Sequence, residues 1–177
     1  ETRFTYDKSG ALLKLSLNHV KLLGFDWVVK GGVSFSVTGA SFENESAFIQ
    51  GKLYTDYCIF NYMPLRDLSG TFLLTSKGLE HIRFTWGDVY SLQGDLLFDE
   101  LFSTDLSLSI NDFKIDEVKE FFHRPLRSDL SGIMSGVISL HGPAQNPKVI
   151  GDMLLRDGGF GQLSFDTANV HFDGNTY

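Results

Sequence analysis

Cysteine, long apolar runs and basic residues are all scarce in this sequence, and each scarcity excludes a class of protein. The single cysteine, Cys58, rules out an internal disulfide and a thiolate metal cluster. No apolar run reaches about 18 residues, the length that a membrane-spanning helix needs. Because 15 Lys and Arg stand against 22 Asp and Glu, the net charge of −7 argues against binding a phosphate backbone. We therefore expect no nucleic-acid partner.

Sequence signatures of catalysis and of metal binding are missing as well. The five histidines are far apart, and none pairs with another at metal-ligand spacing. There is no Gly-x-Ser-x-Gly motif and no Walker loop. Gly159 and Gly161 begin a dinucleotide-like pattern, but Ser164 stands where the third glycine is required. The sequence therefore predicts a protein that is not an enzyme and needs no cofactor or metal.

Phenylalanine and glycine are abundant instead, and the apolar residues recur with a period of two. The chain has 16 Phe, 18 Gly and 4 Pro, a combination that suits half-buried strands joined by turns. Leu106, Leu108 and Ile110, for example, alternate with Ser107 and Ser109. The pattern predicts an all-β fold of about ten antiparallel strands, each about 6–10 residues long. Short turns are predicted at residues 76–78, 156–158 and 172–174.

One segment departs from this period. Ile115, Val118, Phe121 and Phe122 lie at helical spacing, and Pro125 follows them. We predict one short amphipathic helix within residues 112–123, packed over the sheet.

A motif that occurs twice indicates internal repetition. The letters PLRDLSG at residues 64–70 recur as PLRSDLSG at residues 125–132, and an apolar strand follows each copy. We therefore interpret residues 1–177 as a single repetitive β module with repeat-like units at about 64–124 and 125–177. Strand-like sequence at both ends suggests a fragment of a longer chain.

The larger residues of the alternating strands define one candidate apolar surface. Its predicted members are Leu13, Leu15, Leu17, Val33, Phe35, Val37, Ile82, Phe84, Trp86, Leu96, Phe98, Leu106, Leu108, Ile110, Val149, Met153, Leu155, Leu163, Phe165, Val170 and Phe172. Size and hydrophobicity alone place them together, and a bulge can exchange the two faces of a strand.

Residues 105–174 resemble the AsmA/TamB family of envelope proteins. The resemblance lies in the order of elements: a leucine-serine-glycine strand at 130–142, Asn146-Pro147, a strand ending at Asp157-Gly158, and a strand from Leu163 to Phe172. Asn146-Pro147 ends one strand and sets a turn, because proline lacks the N–H donor that a strand ladder needs.

The resemblance implies a fold, a location and a function. The fold is a curled antiparallel amphipathic sheet, an open U-shaped (β-taco) trough with an apolar lining. The location is the periplasm of Gram-negative bacteria, with an inner-membrane anchor outside this segment. The function is phospholipid transport to the outer membrane with acyl chains in the groove, and a TamB-like chain pairs with an Omp85-type, TamA-like barrel.

Two other functions fit the same pattern. A scaffold or chaperone for outer-membrane protein assembly would add strands at an open sheet edge. A closed β-sandwich or barrel fragment with a filled interior would act structurally or as a binding module.

Overall fold

A computed structural model describes residues 2–7, 10–16, 20–22, 25–27, 29–42, 47–60, 63–118 and 130–175, and side chains within 34–42, 47–55, 57, 66–116 and 131–175. The elements in chain order are β1 Thr2–Asp7, β2 Gly10–Ser16, β3 Val20–Leu22, β4 Phe25–Trp27, β5 Val29–Ser41, β6 Phe48–Phe60, β7 Met63–Thr75, β8 Gly78–Trp86, β9 Tyr90–Leu97, β10 Ser103–Lys114, α1 Ile115–Val118, β11 Leu130–Pro143, β12 Lys148–Phe160 and β13 Leu163–Asn175.

The strands form one large antiparallel sheet and one small hairpin. Eleven strands pair in the order β1-β2-β5-β6-β7-β8-β9-β10-β11-β12-β13, and β3 pairs only with β4. From β5 to β13, nine strands follow one another in both sequence and space. Short connections make this order natural, because an antiparallel neighbour can be reached through a tight turn. The all-β prediction is confirmed, and the sheet is open, with β1 and β13 at its edges.

The sheet buries little of its surface. The accessible surface is 12364 Å², whereas a compact monomer of this size exposes about 8,600 Å². Within the described side chains only five apolar residues are buried: Ile82, Ile110, Phe113, Ile115 and Met153. Three of them, Ile110, Phe113 and Met153, form the one buried cluster found there. These values fit a single extended layer better than two packed layers.

Seven strands, with 12–14 residues each, are longer than the alternation predicts, and two predicted turns are wrong. The turn at Ser76 and Lys77 is confirmed. Residues 156–158 instead lie within β12, whose turn to β13 falls at residues 161–162. Residues 172–174 continue β13. At the first of these sites, Asp157 has φ 49 beside a register shift with β11, and Gly158 faces the large side chain of Phe165 on the next strand.

The described helix is also shorter than predicted. It covers Ile115–Val118, and residues 119–129, which include the rest of the predicted helix, lie outside the described chain. Asp112 does not begin it, because β10 runs through to Lys114. The second copy of the repeated motif falls partly in the same stretch, so the division into repeat units stays a prediction.

Candidate functional site

The pairing register assembles apolar residues into rows that cross the sheet. Residues directly opposite each other on paired strands lie on the same face. One row takes one residue from each strand between β5 and β13 and contains no polar side chain. Its members, in spatial order, are Phe35, Leu53, Gly70, Phe84, Leu92, Leu108, Ile138, Gly151 and Phe172.

Two further rows flank this central row on the same face. Toward the β8–β9 turn, the row from β6 to β13 is Thr55, Leu68, Trp86, Tyr90, Ile110, Gly136, Met153 and Val170. On the other side, the row from β8 to β13 is Ile82, Gly94, Leu106, Leu140, Val149 and Gly174. We call the surface made by these three rows the apolar face.

The opposite face is mostly polar. Its row beside the central apolar row is Ser36, Lys52, Thr71, Arg83, Gln93, Ser107, Ser139, Ile150 and Asp173. Cross-strand histidine–carboxylate contacts also lie there, His171 Nδ1 to Asp152 Oδ1 at 2.8 Å and His141 Nδ1 to Asp105 Oδ1 at 2.9 Å. These pairs are solvent-exposed and contribute little stability. The polar composition indicates that water covers this face.

Bulges keep the apolar face continuous where the sequence alternation changes phase. Ile110 and Phe113 are three residues apart, so strict alternation would place them on opposite faces. The register shift between them brings both into one cluster with Met153. Asp112, inside the bulge, has φ 48, and its N–H donates to Ser135 Oγ at 2.9 Å. A side chain of the next strand thus satisfies a backbone donor that the bulge removes from the ladder.

A second bulge, in β8, works in the same way. Leu79 and Ile82 flank a register shift and face Leu96 and Gly94 on β9. His81, between them, has φ 52, and its N–H donates to Asp95 Oδ1 at 2.7 Å.

Phenylalanine rings cover glycines at four positions in the ladder. The directly opposed pairs are Gly51 with Phe72, Gly70 with Phe84, Gly151 with Phe172 and Gly158 with Phe165. At each glycine, a Cβ atom would overlap with the opposing ring. The ring therefore occupies the space that a side chain would fill, an arrangement known to support glycine within a sheet. The linear sequence did not predict these pairs, because their members are 7 to 21 residues apart and meet only through strand pairing.

Aromatic contacts also join strands that are not direct neighbours. Phe35 of β5 meets Phe72 of β7 edge-on at 6.4 Å between ring centroids, across Gly51 of β6. On directly paired strands, Trp86 and Tyr90 stack at 4.9 Å between ring centroids, and Tyr90 meets Phe113 at 5.6 Å. The small residue in β6 thus lets large rings on either side of that strand touch.

Most of the predicted surface lies on the apolar face. The three rows contain Phe35, Ile82, Phe84, Trp86, Leu106, Leu108, Ile110, Val149, Met153, Val170 and Phe172. Val37, Leu96 and Leu155 share this face, because each lies two positions along its strand from a row member, namely Phe35, Gly94 and Met153. Sequence reasoning missed Leu53, Leu68, Leu92, Ile138 and Leu140, which the same period-two pattern contains.

The other predicted residues stand apart or cannot be placed with the rest. Phe98 follows β9 in a loop, where it is 45% exposed, and Leu163 begins β13 with 71% exposure. Phe165 covers Gly158 beyond the register shift in β12. Leu17 lies outside the described residues. For Leu13, Leu15 and Val33 the structure describes the backbone but not the side chain.

Exposure varies across the apolar face. Ile82 is 4% and Met153 is 6% exposed, while Val37 and Phe172 are each 38% exposed. Within the described residues, no group of His, Cys, Asp and Glu could hold a metal ion. No helix among those described is both long enough and apolar enough to span a bilayer. What the arrangement offers chemically is a broad, partly exposed hydrocarbon-like surface.

Comparison with known proteins assigns this chain to no family. No family model, curated protein or solved structure matches this chain. Fold and site therefore define an all-β protein with an open antiparallel sheet, apolar on one face and polar on the other.

Proposed function

We propose that this chain is a periplasmic part of a TamB-like protein, and that its apolar face shields lipid acyl chains during phospholipid transport between the inner and outer membranes. The observation that carries the proposal is the central row, which crosses nine strands without a polar side chain. A row that only completed a small core would end after a few strands. An uninterrupted row suits a ligand that moves along it.

The partial exposure of the apolar face supports a surface that takes up ligand. Buried core positions are normally almost inaccessible, yet Val37, Val170 and Phe172 each expose more than a third of their surface. Large contiguous apolar patches on a protein surface mark interaction sites. In the proposed arrangement the sheet curls into a U-shaped, β-taco trough, so that these side chains line its interior.

The dimensions and the energetics agree with acyl chains as the occupant. Nine strands at about 4.8 Å spacing extend about 38 Å, whereas one acyl chain spans about half of the ~30 Å hydrocarbon core. A diacyl lipid has about 30 methylenes, and exposure of each to water costs about 0.8 kcal/mol. Shielding half of them lowers the barrier to transfer by roughly 10 kcal/mol.

The location and the partner belong to the same proposal. The full-length protein would be anchored in the inner membrane and would meet an Omp85-type barrel of the TamA kind at the outer membrane. The resemblance of residues 105–174 to AsmA/TamB sequences supports this part, together with the open antiparallel sheet.

Site-specific crosslinking tests the proposal, because adjacent residues of one strand point to opposite faces. A photo-crosslinker at Leu108 or Phe84 lies on the apolar face, and one at Ser107 or Thr85 lies on the polar face. After purification from a bacterial envelope, we expect phospholipid adducts at the first two positions only, detected by mass spectrometry. Absence of lipid at all four positions, with no co-purified lipid in native mass spectra, would contradict the proposal.

A second candidate function is a scaffold for outer-membrane protein assembly by strand addition, which needs a strand with an unpaired side. Strand β13, which pairs with β12, is 13 residues long and contains no Pro or Lys, the residues that discourage such pairing. Polypeptide crosslinked at Asn169 of β13, without lipid at Leu108, would favour this function. Phe84→Asp should abolish lipid binding and spare strand addition, so this variant separates the two.

A further inference from the structure

The loop between β9 and β10 presents large apolar side chains to solvent. Phe98 is 45%, Leu101 is 62% and Phe102 is 45% exposed, and the two rings lie 6.0 Å apart. Leu97, at the end of β9, is also exposed. Three large apolar residues within a five-residue tip form a protruding patch, and such patches indicate contact with a partner or a membrane.

Several backbone N–H groups at this tip are already hydrogen-bonded within the protein. Asp99 Oδ1 accepts from the N–H of Leu101 at 3.1 Å and from the N–H of Ser103 at 2.9 Å. Phe102 N–H donates to the Asp99 carbonyl, and Phe98 N–H donates to the Lys77 carbonyl. Unsatisfied backbone groups are the main obstacle to placing a loop in a nonpolar medium. These bonds lower the backbone part of the penalty for leaving water.

The charges near the tip select the kind of surface it can enter. Asp99 and Glu100 lie within it, and Lys77 lies beside it, because its carbonyl oxygen accepts from the N–H of Phe98; two carboxylates against one ammonium group leave a net negative charge. An anionic bilayer would repel this segment, because carboxylates and acidic headgroups carry the same sign. A zwitterionic bilayer interface has no such repulsion and accepts apolar side chains.

The tip also lies beside one end of the apolar face. Leu96 and Leu106, near the loop ends of β9 and β10, belong to that face. We propose that residues 97–102 insert into the interface of a zwitterionic phospholipid bilayer and bring this end of the apolar face to the membrane. The part concerning the apolar face rests on the proposed lipid transport, whereas insertion of the tip does not.

Vesicle partitioning tests this inference. The perturbation is the triple variant Phe98→Ser, Leu101→Ser and Phe102→Ser, and the matched control is Leu163→Ser, an exposed apolar residue at the start of β13. We expect the triple variant to lose at least tenfold in co-sedimentation with phosphatidylcholine vesicles and the control to bind like the parent. Binding to phosphatidylglycerol vesicles should be weaker and should increase in Glu100→Gln.

A second measurement does not depend on a destabilising change. Phe98→Trp retains an aromatic ring, and its emission, relative to the parent protein, should shift to the blue and be quenched by brominated phosphatidylcholine. Equal sedimentation of parent and triple variant, or an unquenched signal from the introduced indole, would overturn the inference. Self-association that disappears in the triple variant, without vesicle binding by the parent, would also overturn it, since the tip would then contact a second copy.

A soluble fatty-acid probe separates this inference from the proposed function. Binding of monomeric cis-parinaric acid reports on the apolar face and should be the same in the parent and in the triple variant. Loss of probe binding in Phe84→Asp, together with tip-independent vesicle binding, would refute the inference alone. Tip-dependent vesicle binding without any probe binding would refute the proposed function alone.

Discussion

Substitution of Gly70 by alanine should destabilise the sheet at its centre. A Cβ atom at this position would overlap with the Phe84 ring and would lie 2.5 Å from the carbonyl oxygen of Arg83. The ring can rotate, but the carbonyl belongs to the β7–β8 ladder, so it moves only if the ladder is distorted. Overpacking of this kind costs about 1–3 kcal/mol, and the lower entropy of the unfolded chain returns about 0.4–1 kcal/mol. We expect a net loss of about 1–2 kcal/mol.

Two other glycines provide graded controls for this substitution. At Gly151 the new Cβ would overlap most closely with the Phe172 ring, which lies on edge strand β13 and can swing toward solvent, so the loss should be about 1 kcal/mol or less. At Gly174 nothing lies within 4 Å of the new Cβ, and Gly174→Ala should be neutral or slightly stabilising. From the most to the least stable, the expected order of the variants is therefore Gly174→Ala, Gly151→Ala and Gly70→Ala.

Urea unfolding followed by circular dichroism measures these differences. A shift of the midpoint at constant slope reports on stability. In a double-mutant cycle, Phe84→Leu should reduce the effect of Gly70→Ala, with a coupling of about 0.5–3 kcal/mol, because the two groups compete for the same space. If Gly70→Ala proves as stable as Gly174→Ala, the rings do not constrain these glycines and the reasoning fails.

The remaining predictions concern the two faces, the β9–β10 loop and one buried donor. Leu92→Asp should abolish fatty-acid probe binding, while Ser91→Asp, one residue away on the polar face, should leave it unchanged, with circular dichroism as the check on folding. A hydrogen bond from the Ser103 side chain, joined by backbone N–H groups, lowers the pKa of Asp99 below 3.8. The ionised carboxylate therefore supports the loop above that pH. This support should fade as the pH falls through the lowered pKa of Asp99 in the folded protein, and a shift of the Ser103 amide signal in NMR spectra would show it. Trp86 Nε1 is buried without a hydrogen-bond partner in the described chain, so Trp86→Phe should change stability by less than about 1 kcal/mol, whereas Trp86→Ala should cost about 2 kcal/mol or more. Unfolding midpoints in urea measure both changes. A large loss of stability in Trp86→Phe would contradict the assignment of an unsatisfied donor.

Alternation of apolar and polar residues was enough to predict the class of fold. Leu106, Leu108 and Ile110 alternate with serines in the sequence, and they occupy one face of β10 with the serines on the other. The period of two is a local property of an extended chain, so it can be recognised without knowledge of neighbouring strands. For the same reason Asn146-Pro147, a local signal, correctly marks the turn between β11 and β12.

The extent of each strand was harder to predict, because turn chemistry competes with tertiary pairing. Asp157-Gly158 has the composition of a hairpin turn, yet Asp157 occupies a bulge and Gly158 accommodates the Phe165 ring. The same dipeptide is therefore compatible with a turn and with a strand. Pairing with β11 and β13 on both sides stabilises the strand.

Local properties of this protein follow from the sequence without reference to the fold: extended strands, short connections, a charge and composition that argue against nucleic-acid binding, and large apolar residues at alternate positions. Which residues face each other depends on how the strands pair in three dimensions. The bulge at Asp112 places Phe113 on the same face as Ile110, and the register sets Phe84 against Gly70. The physical reason is that register depends on hydrogen bonds between strands, and a shift of one residue would move every side chain of a strand to the other face.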